Sequence, residues 1–469
     1  MLLTFIAVYL FINLLIGWWA SKRISNTEDF VLAGRGLSFM FSSMVTFATW
    51  FGSETMMGAP AEFIKDGFLG VIEEPFGASL CLVLVGCFYA RIFYKLNILT
   101  FCDYFGLRFG KIAEYASAIL MIPSYFGWIA AQLVAMGVVM QVIIGLPLST
   151  GIWISALLVM TYTLMGGMWS ISITDFLHNI LLILGLIILG VILYRRIGGI
   201  ENIIAQTPPG FFRIIPKDFT LKSNLEYFAA WITVGLGSIP QQDIFQRVMA
   251  SKDEHTAVKS SITAGIMYLT IAMLPLFIAL IAKILHPELL NADTKMIIPN
   301  MVLQHTSPFI QIVFFGALIS AILSTTSGAI LAPAAVIGEN LIKPLFPKTS
   351  DKQLLLIIRI SVVLVTFFSI WMALSRQDIF TLVGESSAFS LVSLFIPMTA
   401  GLYWKKANLT GCIASMFFGF FTWLLCNFYL YTEVPPILYG LLAGGIALFL
   451  GSFFPDKLNS SKFSANQSV

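Results

Sequence analysis

The sequence predicts an all-α membrane protein with thirteen transmembrane helices. Hydrophobic residues make up 58% of the 469 positions and charged residues only 11%. Mean hydropathy is +0.89, and apolar runs of about 20 residues, the length that spans a bilayer as a helix, recur along the chain. A soluble domain carries about 25% charged residues. The deficit leaves too few charges to coat a water-exposed surface, so hydrocarbon replaces water around most of the molecule. A net charge of +3 gives no basic face of the kind that nucleic acid requires.

The apolar runs centre near residues 10, 52, 82, 128, 158, 184, 236, 270, 320, 364, 392, 420 and 443. The first reaches Trp18 and Trp19, with the basic pair Lys22/Arg23 after it. A signal peptide has the reverse order and a small-residue cleavage site, so residues 1–21 are expected to stay as the first span. Thirteen spans put the ends on opposite sides. With the N-terminus outside, 18 of the 27 Lys and Arg fall in inner segments, and the positive-inside rule therefore puts the C-terminus in the cytoplasm. The stretch 198–224, rich in Pro, Phe and Lys, reads as an outer loop, and the Ser-rich tail 456–469 as cytoplasmic.

Cys81, Cys87, Cys102, Cys412 and Cys426 lie mostly in apolar stretches. Their odd number and lack of paired spacing suit small buried residues, not a disulfide framework or a zinc site.

Two spans are interrupted. The second contains Gly52, Glu54, Gly58 and Pro60, and five spans later comes Gly235-Leu236-Gly237-Ser238-Ile239-Pro240-Gln241-Gln242-Asp243. Glycine and proline are also commoner in membrane helices generally. Paired breaks at corresponding positions of two halves, however, point to a transporter's midplane site. Spans two to six (37–197) and seven to eleven (225–405) then form two five-helix repeats. Because five is odd, the second is inserted inverted. One helix precedes this core and two follow it, within 406–455.

An ionisable side chain within a span is a functional candidate by default, because hydrocarbon penalises it by several kcal/mol. Glu54 sits at the first break. Glu74, in Glu73-Glu74-Pro75, suits either the pathway or the outer interface. Glu385 has a gating or a structural role. Asp175 fits a helix N-cap at the inner surface. The ninth span holds Ser324-Thr325-Thr326-Ser327. Hydroxyl and carbonyl oxygens are the hard ligands an alkali cation prefers, although such hydroxyls also bond the preceding turn or glue helices together.

These features together resemble the sodium:solute symporter family over nearly the full chain. The likeness is carried by Gly166-Gly167 leading to Thr174-Asp175, by Gln242–Arg247 with Ala250-Ser251, and by Ala321–Ser327. The resemblance implies a LeuT-like fold and a sodium site between spans two and nine. Its ligands would be the carbonyls of Ala48, Phe51 and Ala321 and the hydroxyls of Ser324 and Thr325. A second sodium site of some members maps to Asp175, Ser324 and Ser327, but Gly328 replaces a further hydroxyl expected there. Proline-transporting members have an aspartate where this chain has Trp50. The regions around Trp50, Gln241 and Met296–Pro299 look most like the choline-transporting branch, in which Trp50 and Trp128 match pocket aromatics. Gln241 replaces a third tryptophan there, and it occupies the position of a polar contact in sugar-transporting members. Outside the resemblance, packing explains both tryptophans, and Trp128 also suits an interfacial belt.

The expected function is therefore sodium-coupled import of a small polar solute by alternating access. The solute leans cationic or zwitterionic, choline-like or an amino acid, and its first candidate contacts are Trp50, Glu54, Glu74, Trp128 and Gln241. A carboxylate or sugar stays open, as does the oligomeric state. A transporter-like sensor usually carries an attached signalling domain, and none follows the last span here. A channel suits paired breaks less well. The four histidines show no paired metal spacing and no nucleophile–base pair is visible, so an enzyme is not expected.

Overall fold

A computed structural model of the protein describes residues 2–288, 293–430 and 432–454; the expected cytoplasmic tail 456–469 lies outside them. The architecture is all-helical. Among the described residues the one extended pairing is an isolated bridge between Leu37 and Ser251.

The principal helices are α1 (Leu2–Ser21), α2 (Phe39–Ala48), α3 (Ala59–Asp66), α4 (Lys111–Ile144), α5 (Leu148–Ile197), α6 (Leu221–Gly237), α7 (Gln242–Ala250), α8 (Glu254–Ile271), α9 (Met273–Leu285), α10 (Ile297–His305), α11 (Pro308–Val336), α12 (Asp351–Ser375), α13 (Ile379–Ser390), α14 (Leu409–Phe428) and α15 (Pro436–Gly451). Among the described residues, eight helical stretches are long and apolar enough to cross a membrane, and α2 and α15 are shorter apolar helices. The 50-residue stretch α5 is two helices that meet at Gly167, whose φ of +47° and ψ of −146° are not helical. A Cβ there would lie 2.5 Å from the carbonyl oxygen of Phe30, so only glycine allows both the backbone angle and the contact.

Helix starts are set by short polar side chains. Asp253 accepts from the Thr256 amide before α8, Asp378 from Thr381 before α13, and Asn408 from Gly411 before α14. Each satisfies one of the amides that a helix N-terminus leaves without an internal partner.

The core is formed where α11 packs against α4 and α5, with α2 against α5 and α8. From Phe314 to Val336 every residue of α11 is buried. A helix apolar all round belongs inside a bundle. α12 differs: Val363, Phe367 and Trp371, four residues apart on one face, are 40, 65 and 70% exposed. Such a bare apolar stripe suits lipid contact.

The two interrupted spans unwind where Gly and Pro predict it. α2 stops at Ala48, turns replace the helix from Thr49 to Gly52, and helix resumes at Ser53 into a π-helical segment at Glu54–Gly58. In the second half, Ser238–Gln241 separate α6 from α7. The start of the first broken span and the end of the second are tied together at one face. The Leu37 amide donates to the Ala250 carbonyl at 3.0 Å and the Lys252 amide to the Leu37 carbonyl at 2.9 Å, while the Ser42 and Ser251 hydroxyls lie 2.7 Å apart.

The 198–224 stretch contains a helix at Ile200–Gln206. It then folds back so that the Phe211 carbonyl accepts from the Phe68 amide at 3.1 Å. The Phe211 ring lies 5.0 Å from that of Phe63, which makes this connection a docked cover instead of a free loop.

Candidate sodium and solute sites

Alternating access needs groups that meet across helices, and the hydroxyl cluster of α11 meets the first break directly. Ala321, Ser324, Thr325 and Gly328 fall at helical spacing i, i+3, i+4 and i+7, on one face. Thr325 Oγ1 donates to the Ala48 carbonyl at 3.0 Å, at the end of α2. Ser324 Oγ reaches α5, lying 3.4 Å from Thr174 Oγ1 and 3.5 Å from the Ile171 carbonyl. Thr326 and Ser327 instead bond back to the carbonyls of Ile322 and Leu323, at 2.5 and 2.9 Å. The cluster thus divides. Two hydroxyls face neighbouring helices and two satisfy their own helix, as serine and threonine commonly do.

Phe51 and Ala321 are buried beside this junction. Gln132 of α4 supports it: its Oε1 accepts from the Ser53 amide at 3.1 Å. A Cβ on Gly52 would lie 2.9 Å from that oxygen and 3.4 Å from Thr325 Oγ1. The glycine is therefore what lets the unwound backbone approach both groups.

Asp175 is not a helix cap at a surface. It lies buried in mid-helix within α5, and neither carboxylate oxygen has a hydrogen-bond partner. The chain breaks at Gly167 and a second helix starts just after it, so Asp175 lies about two turns inside that helix and caps no end. Gly328, where the second sodium site lacks a hydroxyl, faces the Arg247 guanidinium: a Cβ there would sit 2.5 Å from Nη2. Arg247 is fully buried and donates from Nη1 to the Asp243 carbonyl at 3.2 Å. Asp243 Oδ1 in turn accepts from the Tyr125 hydroxyl at 2.5 Å.

All five expected solute contacts line one narrow cavity. Trp50, Glu54, Glu74, Trp128 and Gln241 meet there with Val234, Ser238, Val383, Ser386 and Ser387. Trp50 and Glu54 come from the first break, and Ser238 and Gln241 from the second. Trp128 comes from α4 and Ser386 and Ser387 from α13. Trp50 and Trp128 are 4 and 3% exposed, which rules out the interfacial belt for both. Glu74 is buried too, so it faces the cavity and not the membrane surface. Its Oε1 accepts from Thr55 Oγ1 at 2.9 Å and from the Tyr268 hydroxyl at close range. The same Tyr268 hydroxyl oxygen lies 3.2 Å from the Trp50 carbonyl, so its one proton serves one of the two acceptors at a time. Glu54 receives one long contact, 3.5 Å from Gln132 Nε2. The indole N–H of Trp128 is buried and faces the Glu54 carboxylate without closing a short hydrogen bond.

Glu385 lies outside this cavity and forms a two-pronged ion pair with Arg376, at 2.5 and 2.8 Å. Each side chain of the pair is more than a quarter exposed.

Sequence reading missed Tyr268, Thr55 and Gln132. Gln132 carried a usable signal, since a lone amide inside an otherwise apolar span needs a partner as an acid does. Tyr125, Trp128 and Gln132 also share one face of α4 at helical spacing. Nothing local marks Tyr268, whose role depends on contacts with residues about two hundred positions away.

Two unwound spans, a hydroxyl cluster against one of them and a closed polar cavity between them define a secondary transporter of the LeuT-like class. Residues 30–419 match the sodium:solute symporter family, and the chain belongs to that family. It is 29% identical over 450 residues to the human high affinity choline transporter 1, covering 90% of this chain and 75% of that one. It is 27% identical to the high-affinity proline transporter PutP of Bacillus subtilis, over 96% of this chain and 97% of the relative. Among solved structures, a Na+-coupled sialic acid symporter in a substrate-bound outward-open state superposes with a TM-score of 0.82 at 20% identity, covering 97% of this chain and 98% of that one. The nucleobase-cation-symport-1 transporter MHP1, closed with bromovinylhydantoin bound, gives 0.60 at 14%, with 93 and 98% covered. The chain is thus a multi-pass membrane protein and a sodium-coupled symporter of a small solute.

Proposed function

We propose that this symporter imports a small organic cation or zwitterion, with one sodium ion held by the carbonyls of Ala48, Phe51 and Ala321 and the hydroxyls of Ser324 and Thr325. The observation that carries this reading is the 3.0 Å contact from Thr325 Oγ1 to the Ala48 carbonyl. It brings a hydroxyl and an unwound-backbone oxygen within the span of one small cation. Sodium bound there ties the broken second span to the ninth and favours the outward-open state. Solute then binds at the break, against Trp50, Glu54, Glu74, Trp128 and Gln241. An aromatic face near a desolvated cation contributes about 2 kcal/mol or more, and the buried acids compensate charge.

Movement of one repeat against the other exposes both ligands to the cytoplasm, where low sodium empties the site. The membrane potential adds about 2.3 kcal/mol per charge per 100 mV. This scheme uses thirteen spans, with inverted repeats at 37–197 and 225–405, the N-terminus outside and the C-terminus inside.

The second sodium site at Asp175, Ser324 and Ser327 fits less well. Ser327 bonds its own helix, and Arg247 already presents a positive charge over Gly328. A thermal-shift or counterflow screen of solutes on purified protein, with sodium exchanged for potassium, tests the assignment. Sodium-dependent stabilisation by a cationic or zwitterionic solute is expected. Binding restricted to sugars or dicarboxylates would contradict it.

A further inference from the structure

We propose that the cavity between the two breaks selects a small organic cation that carries N–H donors, a primary or secondary amine with no carboxylate, over quaternary ammonium ions and zwitterions. The inference rests on that cavity being the solute site of the symporter.

The first observation is its charge. Glu54 and Glu74 both line it, at 2 and 5% exposure, and none of its lining residues is Lys, Arg or His. A solute carboxylate would meet two acids and no facing cation, so nothing in the wall would compensate its charge in a poorly screened interior. Zwitterions are penalised accordingly.

The second is how the acceptors are arranged. Both hydrogen bonds to Glu74 fall on Oε1, which fixes the carboxylate and leaves Oε2 for an incoming donor. Glu54 has one long contact, on Oε1. A carboxylate accepts about four hydrogen bonds, so the pair has unused capacity that an ammonium N–H fills. A quaternary nitrogen has no proton to give and leaves those oxygens desolvated and unmatched. Its usual recognition is an aromatic cage, but here only Trp50 and Trp128 are aromatic, and the remaining wall includes Ser238, Gln241, Ser386 and Ser387.

The third observation concerns the second acid. The Trp128 indole N–H lines the same cavity and faces the Glu54 carboxylate. An indole nitrogen only donates, so it orients this acid toward the cavity as Tyr268 orients Glu74.

The test measures counterflow and ligand-induced thermal shift on the purified full chain in sodium. The ligands are ethanolamine, N-methylethanolamine, N,N-dimethylethanolamine and choline, with proline as the zwitterion. Apparent affinity is expected to fall with each added methyl, by at least tenfold from ethanolamine to choline, and proline is expected to bind no better than choline. Glu54→Gln, and separately Glu74→Gln, should flatten the series to within about threefold.

Choline binding as tightly as ethanolamine, proline matching ethanolamine, or no binding by any amine would each overturn the proposal. Repeating the series in potassium separates the two claims. Sodium-dependent uptake of choline or proline would refute the amine preference and leave the symport reading standing. Sodium-independent responses to every ligand would remove the symport reading itself.

Discussion

The Thr325 hydroxyl donates to the Ala48 carbonyl at 3.0 Å, across 277 residues of sequence. This bond satisfies both groups, and in the proposed sodium site both oxygens would turn to the ion instead. Thr325→Ala deletes a ligand and the bond together. The sodium concentration for half-maximal uptake should rise about tenfold or more, and Thr325→Ser should recover most of the loss. Unchanged sodium dependence in the alanine variant would remove this residue from the site.

Tyr268 acts on the solute side. Its hydroxyl reaches both Glu74 and the Trp50 carbonyl, so it fixes the acid relative to the first break. Tyr268→Phe keeps the ring packing but leaves Glu74 Oε1 with Thr55 alone. Losing one hydrogen bond to a charged group corresponds to about 1.5–3 kcal/mol. The KM for a cationic solute should rise at least tenfold with little change in maximal rate, and a neutral solute should be far less affected. Equal losses for both would assign Tyr268 a purely structural role.

Gly328 tests the second sodium site. Serine there restores the hydroxyl that the family pattern expects, but its Cβ would lie 2.5 Å from Arg247 Nη2. Overpacking of this kind destabilises by about 1–3 kcal/mol. Gly328→Ser should therefore lower the melting temperature, and sodium should not restore it. A variant that keeps wild-type stability and gains a second sodium dependence would show that the site can be rebuilt.

Outside the spans, Arg196 Nη1 lies 2.6 Å from His305 Nδ1. His305 Nε2 lies 2.9 Å from His286 Nε2, and His286 Nδ1 lies 2.9 Å from Glu288 Oε1. Arginine only donates, so one directed chain runs from Arg196 to Glu288 with both imidazoles neutral. Burial, helped by the nearby Arg196 and His286, holds the His305 pKa below its ordinary 6.5. With the folded pKa depressed, the unfolded chain binds the proton first, so stability falls as pH drops below about 6.5 and levels off once the folded form also protonates. Thermal melts between pH 8 and 5 should show this decline, and His305→Gln should reduce it. An equal decline in the variant would place the titrating group elsewhere.

The membrane class was legible from composition alone, and the two unwound spans from Gly52, Gly58, Pro60, Gly237 and Pro240, because these residues break helices through local backbone chemistry. The convergence of Trp50, Glu54, Glu74, Trp128 and Gln241 was legible only through family resemblance, since those residues come from several helices. The cap reading of Asp175 failed because the sequence does not show that the new helix starts at Gly167, about two turns before it. Tyr268 and the Arg247–Gly328 contact were invisible, because each depends on which helices pack together and not on any local pattern.

The most direct test of sodium-coupled import uses purified protein in liposomes loaded with potassium and diluted into sodium, with a labelled amine or other solute from the binding screen outside. An inward sodium gradient should drive transient accumulation above the external concentration, and a sodium ionophore should abolish it. Uptake that only equilibrates, or that proceeds equally when potassium replaces sodium outside, would contradict the account.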